Sequence, residues 1–161
     1  MKLRTSQKGA AVVEFALLSL LLLVFVFGII EFGFLWLQSH YVANAAREGA
    51  RVAAKIKGTD AAARQTAAEN AAREYLREFF MYGDKVNDTE FLTISVTEGD
   101  LPMASPPPQP PRVVQVTVTA QSEDIWQPVL WPLLNLLPGP NIFPDDFLTS
   151  ITQSADYVIL K

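Results

Sequence analysis

The chain contains no cysteine and a single histidine, His40, among its 161 residues. The first absence excludes a disulfide framework and every thiolate-based metal or redox site. The second removes histidine clusters as metal ligands and argues against a Ser-His-Asp triad. Charge is scarce as well, at 19% of residues with a net of −4, and it is unevenly spread. Lys2, Arg4 and Lys8 give residues 1–9 a charge of +3, whereas the remainder carries 10 basic and 17 acidic side chains. So acidic a remainder offers no basic patch to neutralise phosphates, and nucleic acid is not expected as a partner. No phosphate-binding loop or nucleophile motif occurs. The acid pairs Glu123-Asp124 and Asp145-Asp146 read as solvated surface charge, so no enzyme, cofactor or metal is expected.

What the chain has in quantity is apolar surface, 50% of residues, concentrated between Ala10 and Leu37. Phe15 to Ile30 carries no charge at all. As a helix, Ala10 to Leu37 is about 42 Å long at 1.5 Å per residue. That exceeds the roughly 30 Å core of a bilayer, so residues 10–37 read as a single transmembrane helix behind a basic leader, residues 1–9. A secretory signal would have a shorter apolar region, about 7–15 residues. The leader's positive charge places the N-terminus in the cytoplasm and the acidic domain outside. Trp36, His40 and Tyr41 fall where an outer interfacial belt would lie.

Two carboxylates interrupt this apolar helix. Such a group costs about 2.5–3.5 kcal/mol at the bilayer centre on insertion scales, so each calls for a reason. Glu14 is the fifth residue after Gly9, in Lys8-Gly9-Ala10-Ala11-Val12-Val13-Glu14-Phe15. A peptidase cutting after Gly9 would leave Ala10 with a free ammonium group, which Glu14 can neutralise on its own or a neighbouring subunit. A carboxylate snorkelling to the cytoplasmic headgroups is the plainer reading. Glu31 is about 25 Å further along. It reads as a carboxylate at the outer interface or as a polar contact to another transmembrane helix. Gly28 and Gly33 are five apart, which is not a GxxxG pair.

Three pieces in this order and spacing carry a family resemblance. They are Lys8 to Phe15 before the apolar run, Phe27-Gly28-Ile29-Ile30-Glu31-Phe32-Gly33, and Asn44-Ala45-Ala46-Arg47-Glu48-Gly49-Ala50-Arg51. Residues 7–54 thereby resemble the TadE-like family, pseudopilins of the tight-adherence, Flp-type pilus system. The resemblance implies a bacterial inner-membrane protein that acts as a minor pilin or assembly factor. It implies processing by a dedicated prepilin peptidase at Gly9, Ala10, Glu14 and Phe15. The implied partners are that peptidase, other pilins and pseudopilins, and inner-membrane pilus assembly proteins. The usual processing site continues Glu-Tyr, whereas this chain has Glu14-Phe15. The alternative is an unprocessed, single-pass, membrane-tethered binding domain.

Beyond the membrane, residues 38–57 continue the helix. Arg47, Arg51 and Lys55 recur at a spacing of four beside a face of alanines suited to a second helix, with Glu48 in reach of Arg51. Glu14, Glu31, Arg47 and Arg51 are the candidate packing residues. Gly58 ends the helix and Thr59 or Asp60 caps the next, within residues 58–82. That second helix is predicted over Ala61–Phe80, with Ala68, Ala72, Tyr75, Leu76, Phe79 and Phe80 as its face and Arg64 among the surrounding charges. Tyr82-Gly83-Asp84 breaks it. Residues 91–161 read as an antiparallel sheet of three strands, Phe91–Thr97, Arg112–Gln121 and Ile151–Leu160, each with one apolar face. Ile151, Ala155, Tyr157 and Ile159 form that face in the third. A proline-rich loop, residues 100–111, joins the first two strands. Residues 122–147 are an apolar, proline-broken loop whose Trp126 and Trp131 either cap the sheet or meet a partner or the membrane. The fold class is α+β, pilin-like: a long N-terminal transmembrane helix continuing outside, a second helix, and a small three-stranded sheet.

Overall fold

The structure, a computed structural model, describes residues 6–57, 60–100, 112–121, 130 and 150–159. Gly58, Thr59, most of the proline-rich loop, Trp126 and Trp131 lie outside the described residues. The chain divides into two compact units, residues 1–35 with 128–145, and residues 36–127 with 146–161.

The first unit contains the apolar part of α1, a helix that runs Ser6–Lys55. It has no helix-breaking proline, and its leucines, valines and phenylalanines leave few polar side chains to satisfy. Ser19 bonds back to the carbonyl of Ala16 at 2.9 Å, which removes one of them. Val12, Phe15, Leu22, Phe25 and Ile29 are each more than half exposed. By length and composition this is a helix able to cross a membrane.

The second unit is an antiparallel sheet covered by helices. Its strands are β1 (Leu92–Asp100), β2 (Arg112–Gln121) and β3 (Ser150–Val158), in the order β1-β2-β3. Register follows the alternation: Ile94 faces Val118 and Val96 faces Val116, while Ala155 and Ile151 sit opposite Val116 and Ala120 on the other side. A one-residue slip would turn this whole apolar set to water, so the pattern itself fixes the register. Against the apolar face pack Val42, Ala45, Ala46, Ala50 and Ala53 of α1 and Ala68, Ala72 and Leu76 of α2 (Ala61–Arg77), all fully buried. Small side chains let helix and sheet backbones approach closely. An aromatic group closes one end: Phe79 stacks on Tyr41, with ring centroids 4.1 Å apart, and meets Tyr82 edge-on at 4.9 Å.

Asp60 caps α2, its side chain accepting from the amide of Ala63 at 3.0 Å. The helix stops at Arg77, short of the expected Phe80. The chain turns there into a short 3-10 helix, Gly83–Asn87, entered through Gly83 at a φ of 46°, a conformation glycine adopts without a Cβ penalty. Phe80 therefore leaves the α2 face and is 77% exposed, while Tyr82 is buried in its place. Burial pushes the Tyr82 hydroxyl above its usual range.

Arg64, expected on the outer face of α2, is fully buried. Its Nε donates to Glu98 Oε1 at 2.6 Å and its terminal nitrogens to Glu98 Oε2 and the Ile56 carbonyl. Arg112 donates to the same carboxylate at 2.7 Å. β1 runs three residues past Thr97 to bring Glu98 to this position. The hydrogen bond from Arg64, more than the surrounding positive charge, holds the Glu98 carboxyl below its ordinary value of 4.5, against an opposing effect of burial. A depressed carboxylate value stabilises the fold above the unfolded-state value and loses that stabilisation as pH falls through the folded one. The melting temperature of the wild-type head should therefore carry a loss below pH 4.5 that a Glu98→Gln variant lacks. Melts followed by near-ultraviolet circular dichroism across that range measure it.

Candidate assembly surface on the first helix

The residues expected to be processed share one stretch of α1. Gly9, Ala10, Glu14 and Phe15 are helical and exposed, and the Gly9–Ala10 bond lies within the first helical turns from Ser6. Glu14 is surrounded along the helix by exposed Val12, Val13, Phe15, Leu17 and Leu18. A carboxylate on so apolar a surface is best solvated by headgroups or by a cation from a neighbour.

Glu31 behaves differently from its exposed neighbours. It is 3% exposed, and its Oε1 accepts from the backbone amide of Leu130, itself buried. Its carboxylate is thus covered within the chain rather than exposed along the apolar helix. A hydrogen bond across 99 residues of sequence carries no local signal.

Arg47 and Arg51 lie on the exposed side of α1. Arg47 donates to the Asn44 side chain at 3.3 Å, and Arg51 grips Glu48 through two nitrogens. That hydrogen bond keeps the Glu48 carboxyl low. Pairs this exposed are screened by solvent and contribute little to the fold, so these arginines are free to meet a partner. Arg51, Ala54 and Lys55 line a shallow groove with Asp156, Tyr157 and Val158 of β3. Tyr157, expected on the covered face, is 39% exposed at this rim. The opposite side of α1 bears Gly49, where an added Cβ would lie 3.0 Å from the Ala68 carbonyl oxygen and 3.4 Å from both Ala72 and Val116. Further along, Ser39 accepts a 3.0 Å hydrogen bond from Gln153, which stands on the helix-covered face of β3 beside Val118. Among the described residues no cluster of histidine and carboxylates is able to hold a metal ion.

Gly9–Ala10, the apolar helix, Glu31 and the Gly49 contact thus occupy one continuous element. Residues 9–51 match the TadE family model, described as TadE-like protein. The match covers the three pieces that suggested the resemblance from Gly9 onward and ends at Arg51, four residues before α1 does. Neither a curated protein nor a solved structure matches the chain. The match is confined to this N-terminal segment, and α1 is compatible with a single membrane crossing.

Proposed function

We propose that this chain is a TadE-like pseudopilin or minor pilin of a tight-adherence, Flp-type pilus, acting as a non-enzymatic assembly subunit. It is held in the bacterial inner membrane by α1, with its N-terminus in the cytoplasm and the sheet domain outside. A prepilin peptidase removes residues 1–9, and the new Ala10 ammonium is neutralised by Glu14 on the same or an adjacent subunit. Lateral packing of α1 against the helices of other pilins and inner-membrane assembly proteins then draws the subunit into the pilus or its base. The observation that carries this reading is the TadE match over residues 9–51, which joins the Gly9 junction, the apolar helix and the Asn44–Arg51 segment on one helix.

The test is the mature N-terminus in cells. Mass spectrometry should find a chain beginning at Ala10, and Gly9→Leu should leave the leader attached. A population beginning at Met1 would instead mark the chain as an unprocessed, membrane-tethered binding domain. Glu14→Ala should be processed and membrane-bound yet fail to assemble; normal pilus assembly by that variant would end the neutralisation role.

A further inference from the structure

Three residues of the first unit form a docking notch that a simple anchor helix does not need. Gly28 and Glu31 lie one turn apart on α1, on the same side. A Cβ added at Gly28 would touch Leu130 Cδ2 at 3.7 Å, and Glu31 accepts from the Leu130 amide. Glu31 and Leu130 are 3% and 6% exposed, on a helix whose most apolar window is not covered at all. Residues 128–145 belong to one compact unit with residues 1–35, apart from the sheet domain.

We infer that the chain meets the bilayer twice, once as α1 and again at Leu130, which returns to the outer half of the membrane and is pinned there by Glu31. Glu31 lies 17 residues, about 25 Å, beyond Glu14, so a bilayer core of about 30 Å puts it near the outer edge of the hydrocarbon. A carboxylate and a backbone amide are each costly to strip of water at that depth. A hydrogen bond between them satisfies the amide and offsets part of the cost of the carboxylate with one contact, and a charged acceptor makes it a strong one. The sequence flanking Leu130 suits the site, since Val129, Trp131, Leu133 and Leu134 are apolar and Trp131 belongs to a residue type favoured at the headgroup level. The partner of this surface is lipid. Its acid is spent within the chain, so lateral contacts between subunits would use other faces of α1.

The inference rests on α1 being the anchor, and the experiment separates the two. The chain has no native cysteine, so single cysteines at Leu130, Phe25 and Phe80 can each carry an environment-sensitive fluorophore in proteoliposomes of the full-length protein. A label at Leu130 should lose emission to a nitroxide carried on shallow acyl-chain positions, the label at Phe25 to one carried deeper, and both should resist iodide in the buffer. The label at Phe80, in the sheet domain, should show the reverse. Iodide quenching at 130 with lipid quenching at 25 overturns the second contact alone; iodide quenching at both overturns the anchor and the inference with it. A second measurement guards against disturbance by the label. Gly28→Cys with Leu130→Cys should form an intramolecular cross-link with a short dithiol reagent in the same vesicles, and absence of that product overturns the docking.

Discussion

Glu98→Ala should destabilise the sheet domain by about 3 kcal/mol, the lower end of the range for removing one partner of a buried ion pair. Arg64 is fully buried, so losing its carboxylate leaves a guanidinium with the Ile56 carbonyl in place of a countercharge. The lower end applies because Glu98 lies at the sheet margin, with 14% of its side chain exposed, and water can enter once it is truncated. Arg112 shares the carboxylate but is about half exposed, so Arg112→Ala should cost no more than about 1 kcal/mol. The sign reverses for the pair. Replacing both members with apolar groups of similar size is often neutral, so Arg64→Met combined with Glu98→Leu should recover most of the stability lost by Glu98→Ala. Chemical denaturation of the full chain in detergent, followed by near-ultraviolet circular dichroism, reads all three variants. Wild-type stability in Glu98→Ala would show that the pair is incidental to the fold.

The same residues show how far the sequence could be read. The alternation of Val114, Val116, Val118 and Ala120 against polar neighbours specifies β2 and its buried face, because strand geometry leaves no other side for those residues. The order helix, helix, strand, strand, strand follows from local periodicities of the same kind. Arg64 escapes a reading by charge because its position decides its burial: it begins the series Arg64, Ala68, Ala72, Leu76, spaced by four, on the stripe that faces the core. Phe80 was misread in the opposite sense. It continues that spacing of four, but α2 ends at Arg77, so the periodicity no longer governs where its ring points. Gln153 breaks the apolar face of β3 and is held there by Ser39, a partner 114 positions away. Glu31 and Leu130 are equally remote in sequence. Contacts of this kind are set by tertiary closure, to which helix and strand periods are blind. Residues 9–51 are the contrary case, legible as TadE-like because the match rests on order and spacing along one helix.

Gly49 has the second large expectation, and here two physical effects compete. Glycine in a helix interior is less favourable than alanine by about 0.8–1.0 kcal/mol, so Gly→Ala at an uncrowded helical site is stabilising. At Gly49 the new methyl would lie 3.0 Å from the Ala68 carbonyl oxygen, a backbone atom of α2 that cannot swing aside as a side chain would. It would also press on Ala72 and Val116, so relief in one direction tightens contact in another. Overpacking a filled core costs about 1–3 kcal/mol, which cancels or exceeds the propensity gain. Gly49→Ala should therefore be neutral to destabilising by about 1–2 kcal/mol, the difference between those two effects. Gly49→Leu, with three further carbons in the same space, should separate α1 from α2 and the sheet and abolish cooperative unfolding of the domain. Gly33 supplies the control, since nothing lies within 4 Å of a Cβ built there and Gly33→Ala should leave the melt of the sheet domain unchanged. A stabilised Gly49→Ala would mean that the helices separate easily. The expected result gives the Asn44–Arg51 segment a physical role: Gly49 lets this part of α1 lie close enough to α2 and the sheet to close the core of the sheet domain.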